Sequence, residues 1–95
     1  VTQSETKGGT LARQAAMLCE LPVFGLYLDQ RRRWRQGLSP AQLPDGTHTP
    51  EDAADALRQA CGIQSRAELD HNEQAAAMYR RIVADHMRWK RRAGL

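Results

Sequence analysis

Ninety-five residues make one domain at most, with room for a modest core and little surplus stability. Hydrophobic residues at 41% and charged residues at 26% fit a globular chain and exclude a disordered one. No apolar run approaches the 18 residues of a membrane-spanning helix, and no secretory signal is visible. The net charge of +3 is the remainder of a strong segregation. Residues 30–36 carry four arginines and no acid, and residues 80–95 carry six bases and one acid. Residues 37–79 carry two bases and seven acids. Such blocks create local potential even when the total is small.

The chain opens on Val1 rather than Met and is expected to be a processed piece of a longer polypeptide. Residues 1–9, VTQSETKGG, offer nothing to bury and are expected to form a flexible tail or linker, leaving a single domain over 10–95. Thr10 is the expected N-cap of a first helix over 11–20, whose inner face is Leu11, Ala15, Leu18 and Cys19. Pro22 suits the first turn of a second helix, which Gly37 ends. Its apolar stripe is Val23, Phe24, Tyr27, Leu28 and Trp34, the last within about 20° of Tyr27 on the helical wheel. Gly25 is its weak point, at a cost of up to about 1 kcal/mol relative to Ala.

Residues 37–49, GLSPAQLPDGTHT, hold two prolines and two glycines and predict a long loop, pinned by Leu38 and Leu43. Thr49 as N-cap, Pro50 at the first helical position and the acids Glu51 and Asp52 announce a third helix, closed by Gly62. Its inner face is Ala53, Leu57, Ala60 and Cys61. Ser65 and Glu68 have capping-box spacing and predict a short helix over 66–70. Asn72 then caps the longest helix, 73–92, on which Ala75, Tyr79, Ile82, His86 and Trp89 form a buried seam widened by Met78 and Val83. No strand pattern occurs. The expected fold is all-α, a compact bundle of four to five helices with a long loop between helices 2 and 3.

Chemistry-bearing constellations are sparse. Cys19 and Cys61 lie among apolar residues and no CxxC pair exists, so both are expected to be reduced core thiols. A zinc site built from them with His48, His71 and His86 would lack the close ligand pairs that structural zinc sites use, so no metal and no cofactor are expected. His86 reads instead as a core or half-buried histidine with a hydrogen-bond partner. Glu51, Asp52 and Asp55 read as acids at a helix N-terminus. There is no GxSxG, P-loop or HExxH, and nothing assembles a nucleophile, base and oxyanion donors, so an enzyme is not expected. LRQACGIQSRAEL has the outline of a helix-turn-helix, but Glu68, Asp70 and Glu73 would face an anionic groove; a tight turn in a bundle is the better reading.

The remaining signal is DQRRRWRQG at 29–37, echoed by RWKRRAGL at 88–95: each tryptophan sits inside a knot of bases. Both tryptophans fall on the apolar stripe of their helices and are expected to be structural anchors first, stacking platforms only if exposed. Cations in a last turn complement the helix dipole, which explains one or two bases per helix but not this many. Clustered arginines repel one another unless a counter-charge arrives. Arg31, Arg32, Arg33, Arg35, Arg88, Lys90, Arg91 and Arg92 are therefore candidate phosphate contacts for DNA or RNA. The alternative counter-charge is an acidic protein partner, or the acidic 45–73 region of a second copy, which would make the chain a self-association module.

The order LARQAAMLCELPVFGLYLD, AADALRQACGI, SRAELDHNEQAA and a terminal tryptophan resembles a small helical segment of temperate-phage and prophage proteins, over residues 11–90, with CGIQSRAELDHN as its most distinctive part. The resemblance implies a bacterial cytoplasm and phage DNA metabolism, in replication or recombination, and carries over no catalytic residues.

Overall fold

The computed structural model describes residues 9–95, so most of the expected tail lies outside the described residues. Four α-helices and one 3-10 helix follow in order: α1 Thr10–Glu20, α2 Pro22–Gln36, α3 Pro50–Cys61, the 3-10 helix Arg66–Asp70, and α4 Glu73–Ala93. No strand occurs among the described residues, and no helix among them is long and apolar enough to cross a membrane.

Most helix ends follow from local chemistry. Thr49 and Asp52 form a reciprocal capping box at α3, Ser65 and Glu68 form another at the 3-10 helix, and the Asn72 side chain accepts from Ala75 N at 3.1 Å to open α4. The start of α1 does not follow the sequence expectation. Thr10 is its first helical residue, Gly9 stands at the cap position, and neither supplies a side-chain cap. The cap arrives from the far end of the chain. The Asp70 carboxylate accepts from Gly9 N at 2.8 Å, Leu11 N at 3.1 Å and Ala12 N at 3.1 Å. Gly9 makes room for it, because a Cβ there would meet the carboxyl group at 2.9 Å. Burial would raise the pKa of Asp70, but these backbone hydrogen bonds outweigh it and hold the carboxyl below its ordinary value.

The core is built from Phe24, Tyr27, Leu57, Leu69, Tyr79 and Ile82, all buried, with alanines of α1, α3 and α4 letting the helices approach closely. The seam expected on α4 is buried from Ala75 through His86, with Trp89 half-buried against the core. Ala12 joins the inner face of α1, where Leu11 and Leu18 are only half-buried. Ala60 of α3 is exposed rather than inward, and Cys61 is half-buried rather than core.

A second packing surface of α2 was not visible as a hydrophobic pattern. Gly25, Asp29 and Arg33 recur every four residues and form one stripe, and the 37–49 loop runs along it. At one end a Cβ on Gly25 would sit 3.0 Å from the His48 carbonyl oxygen, so the glycine that weakens the helix is what admits the loop. In the middle Asp29, 0% exposed, accepts from Gly46 N at 2.7 Å and from the Thr47 hydroxyl, and its Oδ1 lies 2.7 Å from His48 Nδ1. At the other end Arg33, 8% exposed, donates to the Leu43 carbonyl at 2.8 Å, to Gln30 Oε1 at 2.8 Å and to Asp45 Oδ1 at 3.1 Å. Burial alone would raise the Asp29 pKa; the hydrogen bonds from Thr47, His48 and Gly46 reverse that and lower it. A loop rich in proline and glycine is thus fastened by two buried charges, each supplied with partners.

Candidate functional site

The two basic segments meet. Arg31 of α2 donates to the Tyr27 hydroxyl at 3.2 Å, and its guanidinium carbon lies 5.8 Å from the Tyr27 ring centroid. The same hydroxyl donates to Asp85 Oδ2 of α4 at 2.6 Å, and Arg88 donates to Asp85 Oδ1 at 3.3 Å. Burial, reinforced by the bond to Asp85, pushes the Tyr27 phenol up to about 12. The Tyr27 hydrogen bond, assisted by Arg88, holds Asp85 below its ordinary value despite some burial. One buried tyrosine and one carboxylate therefore bring Arg31 of α2 beside Arg88 of α4.

The eight candidate bases divide into three groups. Arg33 is spent on the loop and is unavailable to a ligand, which removes it from the expected contact set. Arg31 and Arg88 are partly engaged by Tyr27 and Asp85. Arg32, Arg35, Lys90, Arg91 and Arg92 make no side-chain hydrogen bond or ion pair among the described residues, and all but half-buried Lys90 are exposed.

The tryptophans part company. Trp89 is half-buried, 5.7 Å from the Tyr27 ring and 6.0 Å from the His86 ring, and serves as the expected anchor. Trp34 is 60% exposed, so the expectation that it anchors α2 is overturned. The wheel places it in line with Tyr27, but two turns further along, where α2 has run past the core. Its indole is exposed, in a segment where Arg31, Arg32, Arg33 and Arg35 are its sequence neighbours.

A groove of about 820 Å3 lies between α2 and α3. Arg31, Arg32 and Arg35 line it on the α2 side, Asp52 and Asp55 on the α3 side. Both acids are committed, Asp52 to its capping box and Asp55 to Arg58. The pattern extends over the acidic 37–79 region. Asp45 is held by Arg33, Glu68 accepts from Gln64 N and Ser65 N, and Asp70 caps α1. Only Glu51 and Glu73, each in the first turn of a helix, have no side-chain partner among the described residues.

No family model, curated protein or solved structure matches the chain.

The structure adds one arrangement that sequence reading missed. Asp29, Thr47 and His48 form a buried polar cluster facing the groove, in which the carboxylate engages Nδ1 of the imidazole. Through these contacts His48 and Thr47 tie the 37–49 loop to Asp29 of α2. His86, expected to have a hydrogen-bond partner, has none at its buried Nδ1; it packs edge-on against Phe24 at 5.2 Å and Tyr27 at 5.1 Å. Burial, with Lys90 nearby, lowers its pKa, keeping the ring neutral. Among the described residues no three histidine, cysteine or acidic side chains are grouped so that they could hold a metal ion.

Proposed function

We propose that this chain is a non-enzymatic accessory module that binds the backbone of nucleic acid, preferentially single-stranded, through the surface formed by the second half of α2 and the end of α4. The observation that carries the reading is the exposed Trp34 in a segment whose Arg32 and Arg35 have no side-chain partner among the described residues. An exposed indole and unpaired arginines on one helix match what an unpaired strand presents: a base face to stack and phosphates to neutralise. The alternative, an acidic protein partner or self-association through residues 45–73, is disfavoured because most of those carboxylates are already used in caps and ion pairs within the chain. The resemblance of residues 11–90 to a temperate-phage or prophage segment supports a setting in the cytoplasm of a bacterial host, in phage DNA metabolism such as replication or recombination.

Fluorescence anisotropy with a labelled 30-mer tests it. If four to six bases touch phosphate, log K falls against log salt with a slope of about −3 to −5. Replacing Arg32, Arg35, Arg91 and Arg92 by Gln flattens that slope and weakens all sequences alike, since backbone contacts carry no base information. Absence of binding at low salt, together with a concentration-dependent mass by light scattering, would instead establish the self-association module.

A further inference from the structure

Three arginines from three different elements converge on a different face. Arg13 of α1, Arg58 of α3 and Arg66 of the 3-10 helix line a recess of about 360 Å3, together with Ala12, Ala16 and Ala67. None of the three belongs to the basic blocks, and two of them, Arg58 and Arg66, are the only bases of the acidic 37–79 region. The recess persists because its non-polar lining is alanine, which leaves space where a larger side chain would fill it. Its walls are fixed: the Asp70 carboxylate clamps the first turn of α1 to the 3-10 helix, and Leu69 is buried beneath.

The charge there is not balanced internally. Arg58 is paired with Asp55 through one guanidinium nitrogen, Nη2. Arg13 and Arg66 have no carboxylate partner among the described residues. Glu68, the acid nearest in sequence, is turned back onto Gln64 N and Ser65 N. Cys19 lies near two of the three: burial raises its thiol pKa, while a hydrogen bond and the charge of Arg66 and, more weakly, the charge of Arg58 pull against it. Three cations around one recess are unfavourable unless an anion sits between them, and the planar fork of guanidinium matches a tetrahedral oxyanion better than a point charge does.

We infer that the recess lined by Arg13, Arg58 and Arg66 is a binding site for a phosphate monoester dianion. A doubly charged group offers the oxygens to engage three guanidinium groups at once, which a backbone phosphodiester with one charge does not. The dianion can come from a free small phosphate or from the terminal phosphate of a nucleic-acid strand. The site shares no residue with the α2–α4 surface and stands or falls separately from it.

The test is titration with inorganic phosphate at constant ionic strength, followed by NMR on the arginine Nε–H signals. Signals of Arg13, Arg58 and Arg66 should shift together and saturate, and Arg13→Gln and Arg66→Gln should each weaken the response at least tenfold. Replacing Arg91 and Arg92 by Gln should leave it unchanged. Arg13 is exposed, so its substitution leaves helical circular dichroism intact and carries the test even if Arg66→Gln unfolds. No saturable shift, or the same shift in the Arg13→Gln variant, overturns the site. In a second arm, a 5′-phosphorylated oligonucleotide is compared with its 5′-hydroxyl twin. A preference of fivefold or more that Arg13→Gln abolishes supports the site with strand ends as its source. Equal affinity with phosphate binding retained supports it with a free phosphate as its source.

Discussion

Arg33 and Trp34 are neighbours with opposite fates, and substitutions at the two positions should separate fold from function. Arg33 donates three hydrogen bonds while nearly buried, so Arg33→Gln should cost about 1.5–3 kcal/mol in urea unfolding, the scale of charge-assisted hydrogen bonds lost without replacement. Trp34→Ala should shift stability by no more than about 0.5 kcal/mol, as a surface change does, yet weaken single-strand binding by about 1–3 kcal/mol if the indole stacks on one base. Equal loss of stability in the two variants would mean that Trp34 is an anchor after all. Helical spacing gave the direction in which Trp34 points but not how far the core extends along α2, and that missing depth is why the anchor expectation failed. Asp29 was passed over for a related reason: a polar stripe recurring every four residues carries no hydrophobic signal, although Gly25, Asp29 and Arg33 were in plain view. His86 provides a second test at this scale. Its folded pKa is depressed, so the unfolded chain takes up the proton first, and stability falls as pH drops below about 6.5 and on through the folded value. The depressed carboxylates Asp29, Asp70 and Asp85 contribute stability above their ordinary range near 3.8, which is lost as pH falls through their folded values. Thermal unfolding of wild type and His86→Leu should therefore diverge between pH 7 and pH 5, with wild type losing more. Parallel curves would show that His86 is not held neutral.

Among the elements, those with self-contained signals were legible. α3 announces itself with Thr49 and Pro50 and stops at Gly62; the capping box at Ser65 and Glu68 appears where its spacing put it, as a 3-10 helix. α1 has no such local beginning. Its cap is a carboxylate that closes on it from about sixty residues away in sequence, and only the folded chain brings the two together. Asp70→Ala should accordingly destabilise by about 0.5–2 kcal/mol, as removal of a helix cap does, and the loss should concentrate in α1. Hydrogen exchange would show this as lost protection from Leu11 to Ala15 with α4 unchanged. Uniform loss across all helices would mean that Asp70 supports the whole fold rather than one helix end.

For the molecule as a whole, the charge blocks seen in the sequence acquire a different meaning. The acidic middle is largely engaged within the chain, by Arg33, Arg58, the capping boxes and the start of α1. Among the described residues the basic blocks keep most of their cations without a carboxylate partner. Their charge excess was legible from composition, but its availability was not, since availability depends on which carboxylates the fold consumes. The recess formed by Arg13, Arg58 and Arg66 was illegible for the same reason, because its three members lie outside the basic blocks.

The long reach of Asp70 also sets an order of completion during synthesis, when the chain leaves the ribosome from its N-terminus. α1 emerges whole, yet the amides of Gly9, Leu11 and Ala12 have no cap until Asp70 has been made. Tyr27 waits longer still, for Asp85. The bonds that tie α2 to the 37–49 loop need nothing beyond His48. A nascent chain stopped before residue 70 thus carries a second helix with its loop already tied and a first helix still open at its start.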